Sequence, residues 1–254
     1  MAIKVAISNQ KGGVAKSTTA LCMADALRHK KKSVLFIDLD SQCNSTSVYQ
    51  AQIDDAVTAA DLLKKRATTK EAIQETRLGS IIAGDPVLAS IAPELDKEMY
   101  RYELLKDALA EVENEYDYII MDTPPGEGIY MLNAFFAADG VIIPLTGEQF
   151  AVDGLAKIIN TINEVKRHGN PDLKIYGVLM NKYDQRNKLD KEMWQSLPKI
   201  GEKIGFKVFK TPIRICQEIK NTQAHRESLF DKSPSSKAAE DYSSFVKEFM
   251  KETK

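Results

Sequence analysis

The 254-residue chain has few cysteines and no long apolar run. Cys22, Cys43 and Cys216 are far apart and odd in number, so they form neither a disulfide framework nor a CxxC metal or cluster pair. No apolar run approaches the roughly 18 residues that a membrane-spanning helix needs. The first residues, MAIKVAIS, pass directly into a strand-like segment without the pattern of an export signal. We therefore expect a cytoplasmic protein.

No Pro/Gly-rich linker, low-complexity block or internal repeat divides the chain, and we expect one domain over residues 1–254. With 43% hydrophobic and 28% charged residues, the composition excludes a disordered or fibrous protein. The formal net charge is -1, but residues 182–237 hold 13 Lys and Arg against seven Asp and Glu. This local excess of positive charge indicates a basic face.

Short apolar runs alternate with stretches of helical spacing along the chain. The runs are continuous instead of alternating, which is typical of strands buried on both faces of a parallel sheet. They cover residues 3–8, 33–38, 79–84, 117–122, 140–145, 175–181 and 207–213. Helical spacing covers 17–31, 98–113, 128–138, 149–168, 187–204 and 237–251. This order predicts an α/β fold, a doubly wound, mostly parallel sheet flanked by helices on both faces, with ligands at the carboxyl ends of the strands.

The segment GGVAKST, residues 12–18, follows the first predicted strand and begins the first predicted helix. Gly12 and Gly13 allow backbone N–H groups to turn inward around phosphates, and the helix N-terminus adds a positive field. Lys16 is placed to reach the β- and γ-phosphates, and the Ser17 hydroxyl to bind Mg²⁺. Taken alone, the segment is also compatible with a glycine-rich turn capped by Ser17.

In its wider context, NQKGGVAKSTTA, the segment resembles the deviant Walker A motif of the ParA/MinD group of P-loop ATPases, most closely its ParA branch. The resemblance implies that Lys11 crosses a dimer interface to contact the nucleotide of the other subunit, while Lys16 acts on its own nucleotide. A cation from each subunit offsets the repulsion between two facing triphosphates. Val14, Ala15 and Thr18 complete the implied ATP-binding loop.

Ala15 stands where the family usually has glycine. Its methyl group is tolerated if the local φ is negative, but it strains the loop or crowds the phosphates if φ is positive. We expect ATP binding to survive and turnover to be slower than in relatives with glycine.

The segment SVLFIDLDSQCNSTS, residues 33–47, resembles the family's second motif, I-D-x-D-x-Q-x-N. Asp38 and Asp40 are two residues apart at a strand end, so their side chains lie on the same face. The resemblance implies that Asp40 orients the attacking water, with Asp38 nearer to Mg²⁺ and Lys16. Such an arrangement suffices for slow hydrolysis. In isolation, the segment DLDSQ is more simply interpreted as a polar turn after a strand.

The segment YDYIIMDTPPG, residues 116–126, resembles the third motif. The resemblance to Walker B implies that Asp122 holds a Mg²⁺-bound water, and that Pro124 and Pro125 stiffen a loop that senses the γ-phosphate. Taken alone, this piece is equally compatible with a buried strand that simply ends in an aspartate. Three motifs in the family's order, each after a predicted strand, favour the nucleotide site.

Three further residues carry nucleotide contacts by resemblance. Asn181 corresponds to a residue that contacts adenine, and Pro212 to a segment that lies along the base. Glu148 matches a position that reaches the ribose of the other subunit. Asn181 and Pro212 are also compatible with a simpler role, since such residues commonly mark the end of a strand.

The resemblance implies that the ATP-bound protein forms a sandwich dimer that binds DNA without sequence preference. Hydrolysis, slow alone, is stimulated by a ParB-like partner on a plasmid, chromosome or other cargo, so the protein associates with the nucleoid. We predict the DNA contacts at basic residues of the C-terminal half, namely Arg186, Lys188, Lys210, Arg214, Lys220 and Arg226. Neighbouring carboxylates leave open that these are ordinary solvated charges.

The alternative function is that of a MinD-like spatial regulator, which binds membrane through an amphipathic C-terminal helix. Residues 237–251 do place five apolar side chains at helical spacing, namely Ala238, Tyr242, Phe245, Val246 and Phe249. Their polar face mixes Lys with Glu, which favours packing on the sheet, so we expect no membrane binding. A relative such as the nitrogenase iron protein needs cluster-ligating cysteines, which the three cysteines do not match.

Overall fold

The computed structural model of the chain describes residues 1–148 and 151–253. Seven strands form one sheet: β1 (Ile3–Ile7), β2 (Val34–Asp38), β3 (Ile73–Thr76), β4 (Gly79–Ile82), β5 (Tyr118–Asp122), β6 (Gly140–Leu145) and β7 (Lys174–Met180). Their order across the sheet is β3-β4-β2-β5-β1-β6-β7. Strand β3 pairs antiparallel with β4, and the other neighbours are parallel. The predicted α/β fold with a mostly parallel sheet is confirmed.

Helices of very different length connect the strands. They are α1 (Lys16–His29), α2 (Asn44–Tyr49), α3 (Ala59–Leu63), α4 (Thr69–Ala72), α5 (Leu88–Leu95), α6 (Leu104–Leu109), α7 (Ile129–Ala137), α8 (Ala151–His168), α9 (Lys188–Ile204), α10 (Gln217–Ala224), α11 (Leu229–Lys232) and α12 (Lys237–Glu252). The long helices α1, α8, α9 and α12 match predicted ones. The predicted start of α8, at residues 149 and 150, lies outside the described residues.

Both faces of the sheet are covered because side chains of its central strands alternate between two apolar cores. In β2, Leu35 and Ile37 belong to the core that includes α3, α5, α6 and α7. Val34 and Phe36 belong to the core that includes α1 and α12. The continuous apolar runs in the sequence follow from this double burial.

The carboxyl ends of the three central strands are level with one another. In the sheet register, Ile7 of β1 and Asp38 of β2 both lie beside Asp122 of β5. The loops that follow these strands therefore meet at one edge of the sheet, where parallel α/β proteins bind ligands.

The predicted strand at residues 207–213 is wrong. The segment makes an isolated bridge from Val208 to Val178, and its backbone bonds to β7 at a few points only. Phe209 and Ile213 are buried in the core, which explains the apolar pattern. Pro212 between them has no N–H to donate, so a continuous ladder is interrupted.

Other differences concern short or polar elements. The helix predicted over 98–113 is confined to α6, and α2 to α5, α10 and α11 have no counterpart in the prediction. Strand β3, with the sequence IQET, is polar and partly exposed because it is an edge strand. Such segments lack the apolar periodicity that marks an element in a sequence.

The C-terminal helix α12 packs against α1. Its five apolar side chains named above are all buried in the same core as α1. The expectation that this helix packs within the fold is confirmed. Among the described residues, no helix is both long and apolar enough to cross a bilayer.

Asn170 closes the end of α7 from the loop after α8. Its Nδ2 donates to the carbonyl oxygens of Phe135 at 2.8 Å, Phe136 at 3.3 Å and Ala138 at 2.8 Å. The last carbonyls of a helix have no partner within the helix, so this amide satisfies groups that would otherwise be unpaired.

We predict that Asn170→Ala lowers the free energy of unfolding by about 1–3 kcal/mol, because it leaves these partly buried carbonyls without a donor. Urea denaturation followed by circular dichroism measures the change. Asn163→Ala, at an exposed position on α8, is the matched control and should change stability by less than about 0.5 kcal/mol. Equal stabilities of the two variants would contradict the assignment.

Candidate active site

The loop between β1 and α1 is held in place by neighbouring strand ends. Asn9 donates through Nδ2 to the carbonyl of Pro144 at 2.7 Å and accepts the Lys11 amide through Oδ1 at 3.0 Å. Gly13 has φ +78°, a left-handed conformation that glycine adopts without strain. The loop thus turns tightly above the sheet and leads into the N-terminus of α1.

Ala15 also adopts the left-handed conformation, with φ 68° and ψ 37°, at the residue that precedes α1. Its φ is positive, so the sequence-based concern about strain applies. An alanine in this region costs roughly 1–2 kcal/mol. The loop therefore carries backbone strain at Ala15.

Lys16 lies inside the loop, with 7% of its surface exposed. Its Nζ donates to the carbonyl oxygen of Lys11 at 3.0 Å. Burial lowers the pKa of Lys16, while the nearby carboxylates of Asp122 and Asp40 oppose this shift. The ammonium group is thus directed at the interior of the loop, where an anion would replace the carbonyl as its partner.

A cavity of about 610 Å³ opens beside the loop. Seven residues predicted as nucleotide or catalytic residues line it: Gly12, Gly13, Ala15, Lys16, Ser17, Thr18 and Asp40. Pro125 of the third motif lines it too, so the structure brings residues of all three motifs together around one space. Val14 is buried beneath the loop instead.

Asp122 is fully buried at the end of β5. Its Oδ2 accepts a hydrogen bond from the Ser45 hydroxyl at 2.7 Å, whereas Oδ1 is buried with no hydrogen-bond partner among the described residues. An unpaired buried carboxylate oxygen fits a Mg²⁺ ion or a water bound to it, since Mg²⁺ in phosphate sites takes one or two carboxylates and several waters. The Ser17 hydroxyl lies close enough to the same carboxyl group to lower its pKa, and it completes a suitable donor set.

Asp38 and Asp40 differ in their surroundings although they are two residues apart. Asp38 is fully buried, and its Oδ2 accepts the backbone N–H and the hydroxyl of Thr46, each at 2.8 Å. Its Oδ1 accepts the Asp40 amide at 3.1 Å. Asp40 faces the cavity and accepts the Gln42 amide at 3.0 Å. Asp38 thus shapes the loop, and Asp40 is the carboxylate that a bound ligand meets.

Close packing of buried carboxyl groups changes their proton affinity. Burial, with repulsion from Asp38, raises the pKa of Asp122 to about 8, although hydrogen bonds from Ser45 and Ser17 oppose the rise. Burial also raises the pKa of Asp38 to about 6, against hydrogen bonds from Thr46 and Asp40. The ligand-free site therefore retains a proton near neutral pH.

Lys11 and Glu148, both predicted to reach another subunit, contact each other within this chain. The Lys11 Nζ lies 2.6 Å from Glu148 Oε2, and 38% and 59% of the two side chains are exposed. The hydrogen bond from Lys11 is the main reason that the pKa of Glu148 is lowered. Lys11 therefore points away from the interior of its own loop, unlike Lys16.

Lys182 is a cavity residue that sequence analysis missed. Its Nζ donates to the carbonyl of Gly13 at 2.7 Å, and the residue lines the cavity. It follows Asn181 at the end of β7, so its position next to a predicted base contact was the available signal. Gln223 of α10 also lines the cavity, and nothing in the sequence pattern marked it.

Asn181 and Pro212 do not line the cavity. The buried Asn181 donates through Nδ2 to the Thr19 hydroxyl at 3.2 Å and so ties β7 to α1. Pro212 lies half-buried in the irregular segment after α9. Their contacts with a base stay predictions.

The six predicted DNA-binding residues do not form one cluster of free charges. The Arg214 guanidinium contacts both oxygens of Asp241 at 2.6–3.1 Å, and Arg186 forms a fork with Asp184. Lys188 lies 3.7 Å from Glu192. Lys210, Lys220 and Arg226 are exposed, and no carboxylate in the described chain lies within salt-bridge distance of them. The charges of these last three residues are therefore more available to an outside anion than those of the three ion-paired residues.

Comparisons with known proteins show which family the chain resembles in sequence. A sequence profile described as an AAA domain matches residues 2–175. The sporulation initiation inhibitor protein Soj of Bacillus subtilis is 36% identical, with 96% of each chain aligned. The chromosome partitioning protein ParA of Myxococcus xanthus is 36% identical over 80% of this chain and 73% of its own.

Two solved structures share the fold and hold nucleotides. Cobyrinic acid a,c-diamide synthase from Mycobacterium smegmatis, with a bound ATP analogue and magnesium, is 30% identical with a TM-score of 0.84 and covers 97% of this chain and 93% of its own. A putative plasmid partition protein from Borrelia burgdorferi, bound to AMPPNP, is 25% identical with a TM-score of 0.83 over 99% of both chains.

We predict that Ala15→Gly stabilises the protein by about 0.5–1 kcal/mol, because relief of the left-handed strain exceeds the added freedom of the unfolded chain. Turnover of ATP should rise, since the loop loses a methyl group beside the phosphates. Thermal denaturation and phosphate release measure the two effects. Ala89→Gly, at an exposed position of α5, is the control and should destabilise the protein by up to about 1 kcal/mol. An Ala15→Gly variant that is neither more stable nor faster would remove the strain argument.

We predict that the ligand-free protein loses stability as pH rises from 6 to 8. The unfolded chain ionises Asp122 near pH 4, whereas the folded chain holds the proton up to about pH 8, so the stabilisation present at low pH is lost as pH rises through the folded pKa. Asp122→Asn removes this dependence. Its advantage over wild type in the free energy of unfolding should therefore grow by roughly 1–2 kcal/mol as pH rises from 6 to 8. Denaturation at several pH values measures it.

The matched control is Asp172→Asn, at an exposed carboxylate in the loop before β7. Its stability should follow the wild-type pH profile. A parallel profile for Asp122→Asn as well would show that Asp122 is already ionised at pH 6.

Proposed function

The chain belongs to the ParA/Soj family of P-loop ATPases, and we propose that it is a partition ATPase that joins into a dimer when it binds ATP. We take residues 1–254 as a single ATPase domain. The observation that carries the proposal is that two lysines of the same loop have different surroundings. Lys16 is enclosed in its own loop, whereas Lys11 lies at the surface with more than a third of its side chain exposed.

In the proposed ATP-bound state, Lys16 and the N-terminus of α1 bind the β- and γ-phosphates of their own subunit. The Gly13 carbonyl stays fixed by Lys182, which limits movement of the loop. Bound Mg²⁺ would supply charge neutralisation between the phosphates, held by Ser17 and, through water, by Asp122. These contacts position the γ-phosphate beneath the cavity opening.

We propose that Asp40 orients the attacking water. It faces the cavity and lies close enough to Lys16 for the two charges to attract each other. A carboxylate with one oxygen held by the Gln42 amide retains acceptor capacity for a water. Because no histidine is among the described residues that line the cavity, hydrolysis should be slow without a partner.

Dimerisation requires Lys11 to exchange partners. In the free chain it pairs with Glu148, and an exposed pair of this kind contributes less than about 1 kcal/mol. A desolvated contact with a phosphate of the other subunit is stronger, since ionised hydrogen bonds are roughly twice as strong as neutral ones. The released Glu148 is then free to reach the ribose across the interface, as the family resemblance implies.

We propose that the dimer binds DNA without sequence preference in the nucleoid, and that a ParB-like partner on the cargo stimulates hydrolysis. The names of the relatives support partition as the process. The MinD-like alternative is not favoured, because the apolar face of α12 that membrane binding would use is buried against α1. The identity of the cargo is not encoded in the site.

We predict that Lys11→Ala weakens ATP-dependent dimerisation by about 100-fold, because each dimer loses two charge-assisted contacts of roughly 1.5 kcal/mol each or more. Light scattering with ATP and with ADP measures the mass. DNA binding in the presence of ATP should fall in parallel. The exposed Lys203→Ala on α9 is the control and should behave as wild type.

Nucleotide binding by the variant must be checked separately. Trp194 is the only tryptophan of the chain, and its ring centroid lies 6.1 Å from that of Tyr183. Tyr183 follows Lys182, which contacts the phosphate loop at Gly13. The fluorescence of Trp194 should therefore respond to bound nucleotide. Lys11→Ala should retain this response. A variant that binds ATP and still forms wild-type dimers would contradict the role proposed for Lys11.

A further inference from the structure

We infer that the DNA contact, which rests on the proposed function, is made by a basic surface at the end of the sheet opposite to the phosphate loop. This amino-edge surface consists of Arg28, Lys30, Lys31, Arg77 and Arg226. The residues come from the end of α1, the turn between β3 and β4, and the turn after α10. Only Arg226 was among the residues predicted from the sequence.

Direct contacts join the three arginines into a row. The Nη1 of Arg28 lies 3.4 Å from the carbonyl oxygen of Arg77, and the Nη2 of Arg77 donates to the carbonyl oxygen of Arg226 at 2.8 Å. These residues are far apart in the sequence, so the fold assembles the row. Arg226 has φ 57°, which holds the turn after α10 toward Arg77.

The positive charge of this surface is largely uncompensated. Among the described residues, no carboxylate lies within salt-bridge distance of Lys30, Lys31, Arg77 or Arg226. Asp25 compensates Arg28 at 3.4 Å and also accepts the Ser228 hydroxyl, whereas the two other neighbouring carboxylates pair outside the surface, Glu227 with Lys232 and Asp231 with His29. Like charges held this closely repel one another until an anion binds between them.

The chemistry of the surface matches a nucleic-acid backbone better than a membrane. Arginine forks bind phosphate oxygens bidentately, and a row of them suits the regular phosphates of a duplex. Membrane-surface binding needs exposed apolar side chains beside the charges. The large exposed apolar residues in the described chain, which include Met99, Tyr100, Leu189 and Ile215, belong to other segments than those that carry the surface.

Two helices link this surface to the nucleotide cavity. Helix α1 begins at Lys16 and ends beside Arg28, and α10 contributes Gln223 to the cavity and ends just before Arg226. Asp25 of α1 also accepts the Ser228 hydroxyl through both oxygens, at 2.9 and 2.8 Å. The elements that carry the basic surface therefore contact the cavity as well.

The test measures binding of a 60-base-pair duplex of random sequence, with ATP and Mg²⁺, to wild type, Arg77→Gln and Arg226→Gln over a range of salt concentrations. Each substitution should lower the affinity at least tenfold at 0.1 M salt. Because a dimer carries two copies, the slope of log affinity against log salt should become shallower by about 2. Arg77→Lys, which keeps the charge, should retain the wild-type slope.

The control is Lys97→Gln, at an exposed lysine that follows α5, which should bind DNA as wild type does. Nucleotide binding and ATP-dependent dimerisation should be unchanged in both arginine variants, which separates a surface contact from a folding defect. DNA binding of both variants equal to wild type overturns the inference and leaves the proposed function intact. Wild type that binds anionic phosphatidylglycerol vesicles and no duplex overturns both.

Discussion

A buried cation among buried carboxylates is the interaction on which the rest of the structure depends. Lys16 is enclosed at the N-terminus of α1 and Asp122 at the end of β5, with Asp40 at the cavity wall and Asp38 behind it. Removing Lys16, the cation of this group, is strongly unfavourable, since the buried carboxyl groups then have no positive charge beside them. The loops after β1, β2 and β5 are therefore fixed relative to one another, although they are far apart in the chain.

Much of the nucleotide site was predictable because its motifs are local and follow strands that are marked by continuous apolar runs. Gly13, Lys16, Ser17 and Asp40 meet as the spacing indicates. The sign of φ at Ala15 was not predictable, because it depends on how the loop closes over the sheet. Lys182 was missed for a similar reason, since its contact with Gly13 joins residues that only the fold brings together.

The fold was predictable where burial on two faces gives a strong pattern, and poorly predictable elsewhere. The apolar residues Phe209 and Ile213 suggested a strand, but their burial arises from an irregular segment that fills the core beside β7. The basic surface shows the same limit. Composition indicated positive charge in residues 182–237, whereas the fold combines Arg226 with Arg77 and Arg28 from the N-terminal part of the chain.

Strand β3 closes one edge of the sheet with a polar, partly exposed row, and the Gln74 side chain there bonds both backbone groups of Gln52. At the other edge, residues 207–213 occupy backbone groups of β7. Both borders are thus blunted against strand addition, which is how β-rich proteins avoid joining into continuous sheets. Two copies of this chain must consequently meet through side chains and loops, so that any assembly can be reversed when those loops change.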